Sequence, residues 1–235
     1  MSSEREECDL ERRKTSDTHQ LAAWTGIIGP VLFITVFTIE GYFRAGYDPI
    51  STYISDLSIG PRGIIQITNF IIFGFLFFIF SYGLTLEFQK SKLSLTGPKL
   101  LSLMAALLIL SGPFVTDPIN TPLAEMTWHG IIHNIFGAAF FLLCPISCYV
   151  FWRTFRERSD WPFLQTPTMV ITVVLTIVLV VFSVAQKGAA LTPNALTYYA
   201  GFIQRIDLIT FLLWLVAFAW SYRVRLIASS DMMTE

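Results

Sequence analysis

The stretch TPLAEMTWHGIIHN places His129 and His133 four residues apart, and on a helix this spacing puts both on one face. Two imidazoles so placed can hold one Zn²⁺. Asp117, in SGPFVTDP, is the carboxylate expected to join them as a metal ligand, and Asp56, in GYDPISTYISDLSIGPRG, is a further acid for the same polar site. There a metal-bound water would be the nucleophile and a carboxylate the base. Against this, His19, the remaining histidine, lies toward the N-terminal tail, and Gly130 stands where the zincin motif has glutamate. The structural alternative is that both imidazoles hydrogen-bond neighbours at a membrane boundary. The cofactor stays open, with Zn²⁺ the ion the spacing suits.

Arg205, in GFIQRID, completes the expected site of Asp56, Asp117, His129, His133 and Arg205. A charge at the edge of a membrane span faces the bundle interior and pairs, and Asp117, Asp56, Glu40 and Asp207 are the acids within range. Asp117 follows a helix C-terminus, where an acid opposes the macrodipole, so a cation or donor is expected beside it. Glu40, Ser55, Arg62, Asn69, Glu125 and Gln204 are secondary candidates. Ser55 and Asp56 equally suit a cap for the turn into the next helix, and Asp48-Pro49 is a turn initiator. Cys144 and Cys148 share a helix face at a spacing that rarely allows a disulfide.

The elements that must position these residues are membrane helices. Of 235 residues, 54% are hydrophobic and 14% charged, whereas a soluble domain carries about a quarter charged residues. Six blocks, 21–43, 63–86, 98–116, 129–152, 167–186 and 200–222, reach the length of about 20 apolar residues that a bilayer core demands. The expectation is an all-α bundle of six spans, flanked by polar tails at 1–20 and 226–235 and with no cleaved leader. Pro61, Pro98, Pro122, Pro167 and Pro193 mark helix starts, with Thr121 and Thr192 as caps. No Asp, Glu, Lys or Arg falls near mid-membrane by this count, which disfavours a transporter.

Charge sets the orientation. Twelve of the Lys and Arg residues fall in the tails and the loops after the second and fourth spans; only Arg44, Arg62, Lys187 and Arg205 fall on the other side. Basic loops stay in the cytoplasm. Both termini are therefore expected inside a cell membrane, and the site at its outer boundary. No basic stripe suggests nucleic acid, and the oligomeric state is open.

The motifs GYDPISTYISDLSIGPRG, SGPFVTDP, WHGIIHN and GFIQRIDLITFLLWLVAF, in that order, resemble the prokaryotic membrane family called domain of unknown function 998. The resemblance covers about 21–225 and implies the topology, since the family has no settled activity. ISDLSIGP is also similar to an outer-loop element of the Frag1/DRAM/Sfk1 group of six-span proteins, which implies a tie to lipid remodelling or regulation. Three readings follow: a regulator or sensor binding a lipid headgroup or partner, a zinc-dependent lipid hydrolase or transferase, and an ion- or proton-coupled transporter. The first is the least specific and is preferred. Reporter fusions within residues 153–160 are expected to read cytoplasmic, and an outward reading reverses the whole assignment.

Overall fold

The computed structural model describes residues 2–119, 121–157, 161–190 and 195–231, with 2–16, 186–190 and 229–231 described as backbone. Six helices run in chain order: α1 Ser2–Phe43, α2 Gly63–Lys90, α3 Thr96–Ser111, α4 Trp128–Glu157, α5 Pro162–Ala190 and α6 Ala200–Asp231. Short 3₁₀ turns at Ile54–Ser58, Leu123–Glu125 and Thr197–Tyr199 interrupt the connections. Five helices are long and apolar enough to cross a membrane, which makes this a multi-pass membrane protein. The sixth, α3, has 16 residues and spans only about 24 Å.

Several boundaries differ from expectation for local reasons. α3 stops at Ser111 because Pro113 lacks the N–H that would bond the Ile109 carbonyl. Thr121-Pro122 opens only a 3₁₀ turn, and α4 starts later, capped by Thr127, whose Oγ1 accepts from the Gly130 N–H (3.2 Å). α5 begins with Pro162 at its first position and runs through Pro167. Thr192 and Pro193 lie outside the described residues.

Each helix packs on its chain neighbours and α6 returns against α1, closing a ring. On α2 the phenylalanines divide by helical period. Phe70, Phe73, Phe77 and Phe80 are buried, while Phe75 and Phe78 face outward. Toward the termini the interior is solid aromatic packing: Phe88, Phe151, Phe155, Trp161, Trp214 and Phe218 touch ring to ring, with Phe151 and Phe218 centroids 4.9 Å apart. Trp24, Tyr42, Tyr82, Trp128, Tyr199 and Trp220, expected near the ends of the apolar stretches, all have exposed rings. Arg223 stacks over the Trp24 ring at 4.6 Å.

His19, read from sequence as a tail residue, is instead buried in α1. Its Nδ1 hydrogen-bonds the Tyr222 hydroxyl of α6, which also donates to the Gly83 carbonyl of α2 (3.3 Å). One phenol thus ties three helices together. Tyr222→Phe keeps the ring and strands two buried polar groups, so it should cost about 1–3 kcal/mol. A denaturant titration of the purified protein reads that loss, and an unchanged midpoint would show the knot to be idle.

Candidate functional site

The end of the bundle opposite the termini carries two long connections with only a short 3₁₀ turn in each, and their remaining backbone groups need partners. The first, 44–62, lies across the top of the helices. At one end Glu40 accepts a bidentate pair from Arg62 (2.9 and 2.6 Å) and an ion pair from Arg44 (3.4 Å). Arg44 also donates to the Leu57 and Ile59 carbonyls. At the other end Arg205 donates to the carbonyls of Pro49 (2.7 Å), Thr52 (2.9 Å) and Gly201 (2.9 Å), and to the Tyr47 hydroxyl. Gln204 accepts from the Ile54 N–H at 2.8 Å. Gly201 permits this docking, since a Cβ there would collide with the Thr52 backbone. Asp48 forms the expected turn, accepting from the Ile50 N–H. Ser55 and Asp56 do not cap α2, which starts at Gly63 and whose N-cap residue, Arg62, makes no side-chain cap. Asp56 instead reaches across to the Ile119 N–H (3.2 Å), joining the first stretch to the second.

The second stretch, 112–119 and 121–127, follows α3 and includes the 3₁₀ turn Leu123–Glu125. The two histidines serve it. His129 Nδ1 donates to the Val115 carbonyl (3.0 Å), and His133 Nδ1 donates to Phe114 (2.7 Å) and Ser111 (3.1 Å). The Ser111 carbonyl is one that the end of α3 leaves orphaned, and those of Phe114 and Val115 belong to the irregular segment after it. With Nδ1 protonated, each ring keeps its lone pair on Nε2.

Asp117 also finds its donor, but not in Arg205. Its carboxylate accepts from the Thr127 N–H (2.8 Å) and hydroxyl (2.9 Å), so the acid that opposes the dipole of α3 sits favourably at the start of α4. Gly130 is needed for that approach, since a Cβ there would overlap the Asp117 carboxylate. The expected pairing of Asp117 with Arg205 is therefore absent: Arg205 spends its donors on carbonyls that no sequence pattern reveals. Among the described residues no three His, Cys, Asp or Glu side chains converge as ligands for an ion. Glu125 is exposed in its 3₁₀ turn, and Asn69 donates to the Phe33 carbonyl (3.1 Å) inside the bundle.

Beneath the two stretches the ring is hollow. A cavity of about 580 Å³ is walled by phenylalanines, Phe33, Phe70, Phe140 and Phe182 among them. Its polar edge is made by Ser55, Ser111, His133, Asn134 and Gln204. Of the expected residues, His133, Ser55 and Gln204 thus meet at one cavity; Asp117 and His129 form a neighbouring cap, and Arg205, Asp56, Glu40 and Arg62 hold the roof. Within the lining, Asn134, Ala138 and Leu142 of α4, Ser183 of α5 and Pro122 of the second stretch keep exposed surface, the first four along the flank where α4 meets α5.

One residue was misjudged from sequence. Asp207 is fully enclosed, and neither carboxylate oxygen has a hydrogen-bond partner among the described residues. It was counted with Arg205 at the boundary, but it lies seven residues into α6, about 10 Å below the helix start. The signal was helical phase: Asp207 shares a face with Gln204, Phe211 and Trp214.

The family described as "Protein of unknown function (DUF998)" matches residues 27–221, and the chain belongs to it. No curated protein and no solved structure matches the chain.

Burial pushes the Asp56 carboxyl up to about 7, against the pull of the Ile119 N–H and the Arg205 charge. An unfolded aspartate ionises near pH ~3.9. Between about pH 4 and 7 the folded chain therefore holds a proton that the unfolded chain has released. Raising the pH through that window removes stability, and above it the loss stops. The thermal midpoint of the purified protein should fall across this range, and Asp56→Asn should flatten the fall. Parallel curves for the two proteins would contradict it.

Proposed function

We propose that this protein binds an amphiphile with an uncharged, hydrogen-bonding head, taken from the bilayer through the seam between α4 and α5, and acts as a sensor or regulator of it. The observation that carries this is the division of the cavity into a phenylalanine-walled body and a polar edge, with exposed lining residues along the flank where the long apolar helices α4 and α5 meet. Its volume lies in the range of about 300–1,000 Å³ usual for small-molecule sites. No Asp, Glu, Lys or Arg is among its described lining residues. A phosphate head would lie there without a counter-charge, at a large desolvation cost. A neutral head would find His133 Nε2, Ser55 and Asn134 as partners.

The same reading has all six helices crossing, α3 included, with both termini cytoplasmic as the basic residues of the tails and even loops require. The cavity then opens in the outer half of the bilayer.

Native mass spectrometry of protein released from nanodiscs tests the reading. The wild type should retain a neutral amphiphile through detergent washes. Ala138→Trp, which fills the mouth, should lose it, and His133→Ala should weaken retention about tenfold through one lost hydrogen bond. Bound phospholipid alone, in amounts that Ala138→Trp leaves unchanged, would overturn it.

A further inference from the structure

Asp207 is the least explained group in the bundle. It has no accessible surface, no hydrogen-bond partner and no ion pair among the described residues. It is also close to the cavity. Gln204 and Leu208, one turn above and one residue below it on α6, both line the space, as does Phe140, one turn from Cys144 on α4. The ionisable groups facing Asp207 are the buried thiols of Cys144 and Cys148. Residues 21–39 of α1, 63–81 of α2 and 167–185 of α5 contain no ionisable side chain. Arg205, on the same helix, is committed to the roof, with Tyr47 and Asp56 beside it. His133, on α4, donates to the carbonyls of Ser111, at the end of α3, and of Phe114.

An ionised carboxylate in such surroundings costs several kcal/mol, so its charge has to be neutralised by something that can reach it. A metal cation needs several oxygen ligands or a set of converging side chains, and no such set of three is found among the described residues. A proton needs neither. Ionisable residues inside membrane spans mark ion pathways and proton relays. We propose that Asp207 is a membrane-embedded proton-binding site reached through the cavity. A proton passes between Asp207 Oδ and water in the cavity by way of the Gln204–Leu208 wall, leaving carboxylate on one side of the exchange and carboxylic acid on the other. The site couples the protonation state of the bundle to access through the α4–α5 seam, and it stands whatever molecule occupies the cavity.

Dicyclohexylcarbodiimide provides the test, because it modifies carboxyl groups in apolar surroundings only when they carry a proton. Wild-type protein in nanodiscs is treated from about pH 5 to about pH 9, and the adduct is located by peptide mass spectrometry. An adduct on the peptide carrying Asp207 is expected, distinct from any on Asp56 and absent from Asp207→Asn, with a yield that falls about tenfold per pH unit above its midpoint. Ala138→Trp and, independently, Ser183→Trp should slow the labelling several-fold by closing the mouth. A missing adduct, or a yield that ignores pH, overturns the proton site. Labelling unchanged in both tryptophan variants overturns the route. Neither result depends on lipid retention, so the two readings fail separately.

Discussion

Irregular backbone at the edge of a membrane persists only where its carbonyls and amides find partners, since lipid supplies none. That constraint organises the loop-side end of this protein. Residues 44–62, 112–119 and 121–127 leave the α-helical hydrogen-bond pattern, and Arg44, Arg205, His129 and His133 all donate to their carbonyls. The residue types that suggest a reactive site are therefore largely in the service of the backbone. They fold two long connections down as a roof. The cavity exists because that roof is propped up rather than collapsed into the ring.

The two halves of the bundle solve the packing problem differently. Near the termini, large rings fill the interior and one phenol joins α1, α2 and α6. Near the roof, phenylalanines line space instead of filling it. Cavities in a well-packed interior forfeit contacts and cost stability. A hollow this size is sustained by the rigid half beneath it, and by a roof clamped at both ends by guanidinium groups.

Much of this was legible in the sequence. Apolar block lengths located the six helices but not all their ends: α1 begins at Ser2 rather than 21 and α6 runs to Asp231 rather than 222, because polar residues carry the helix beyond the apolar stretch. What sequence could not supply was the partner of each polar group. Arg205 was matched with carboxylates because charges suggest charges, but its partners are carbonyls, which every residue carries and no pattern marks. The His129–His133 spacing is the same for a metal pair as for two donors covering carbonyls at and after the end of α3. Asp117 was placed by a contact with Thr127 that depends on where α4 starts, and the start was misread from Thr121-Pro122. Asp207 was different, since its helical phase with Gln204 and Trp214 was readable and pointed inward.

The brevity of α3 bears on the membrane itself. At about 24 Å it falls short of a hydrocarbon core of about 30 Å, while its neighbours exceed that length. If α3 crosses as proposed, the shortfall would have to be met by the irregular residues after Ser111, whose carbonyls the histidines cover, or by thinning of the bilayer along that flank. Leu103 and Leu110 turn outward on this face. Such mismatch costs only fractions of a kcal/mol per ångström, but it is enough to sort proteins between membranes of different thickness. On that proposal the protein would favour thin or locally deformable bilayers, a preference set by the length of one helix.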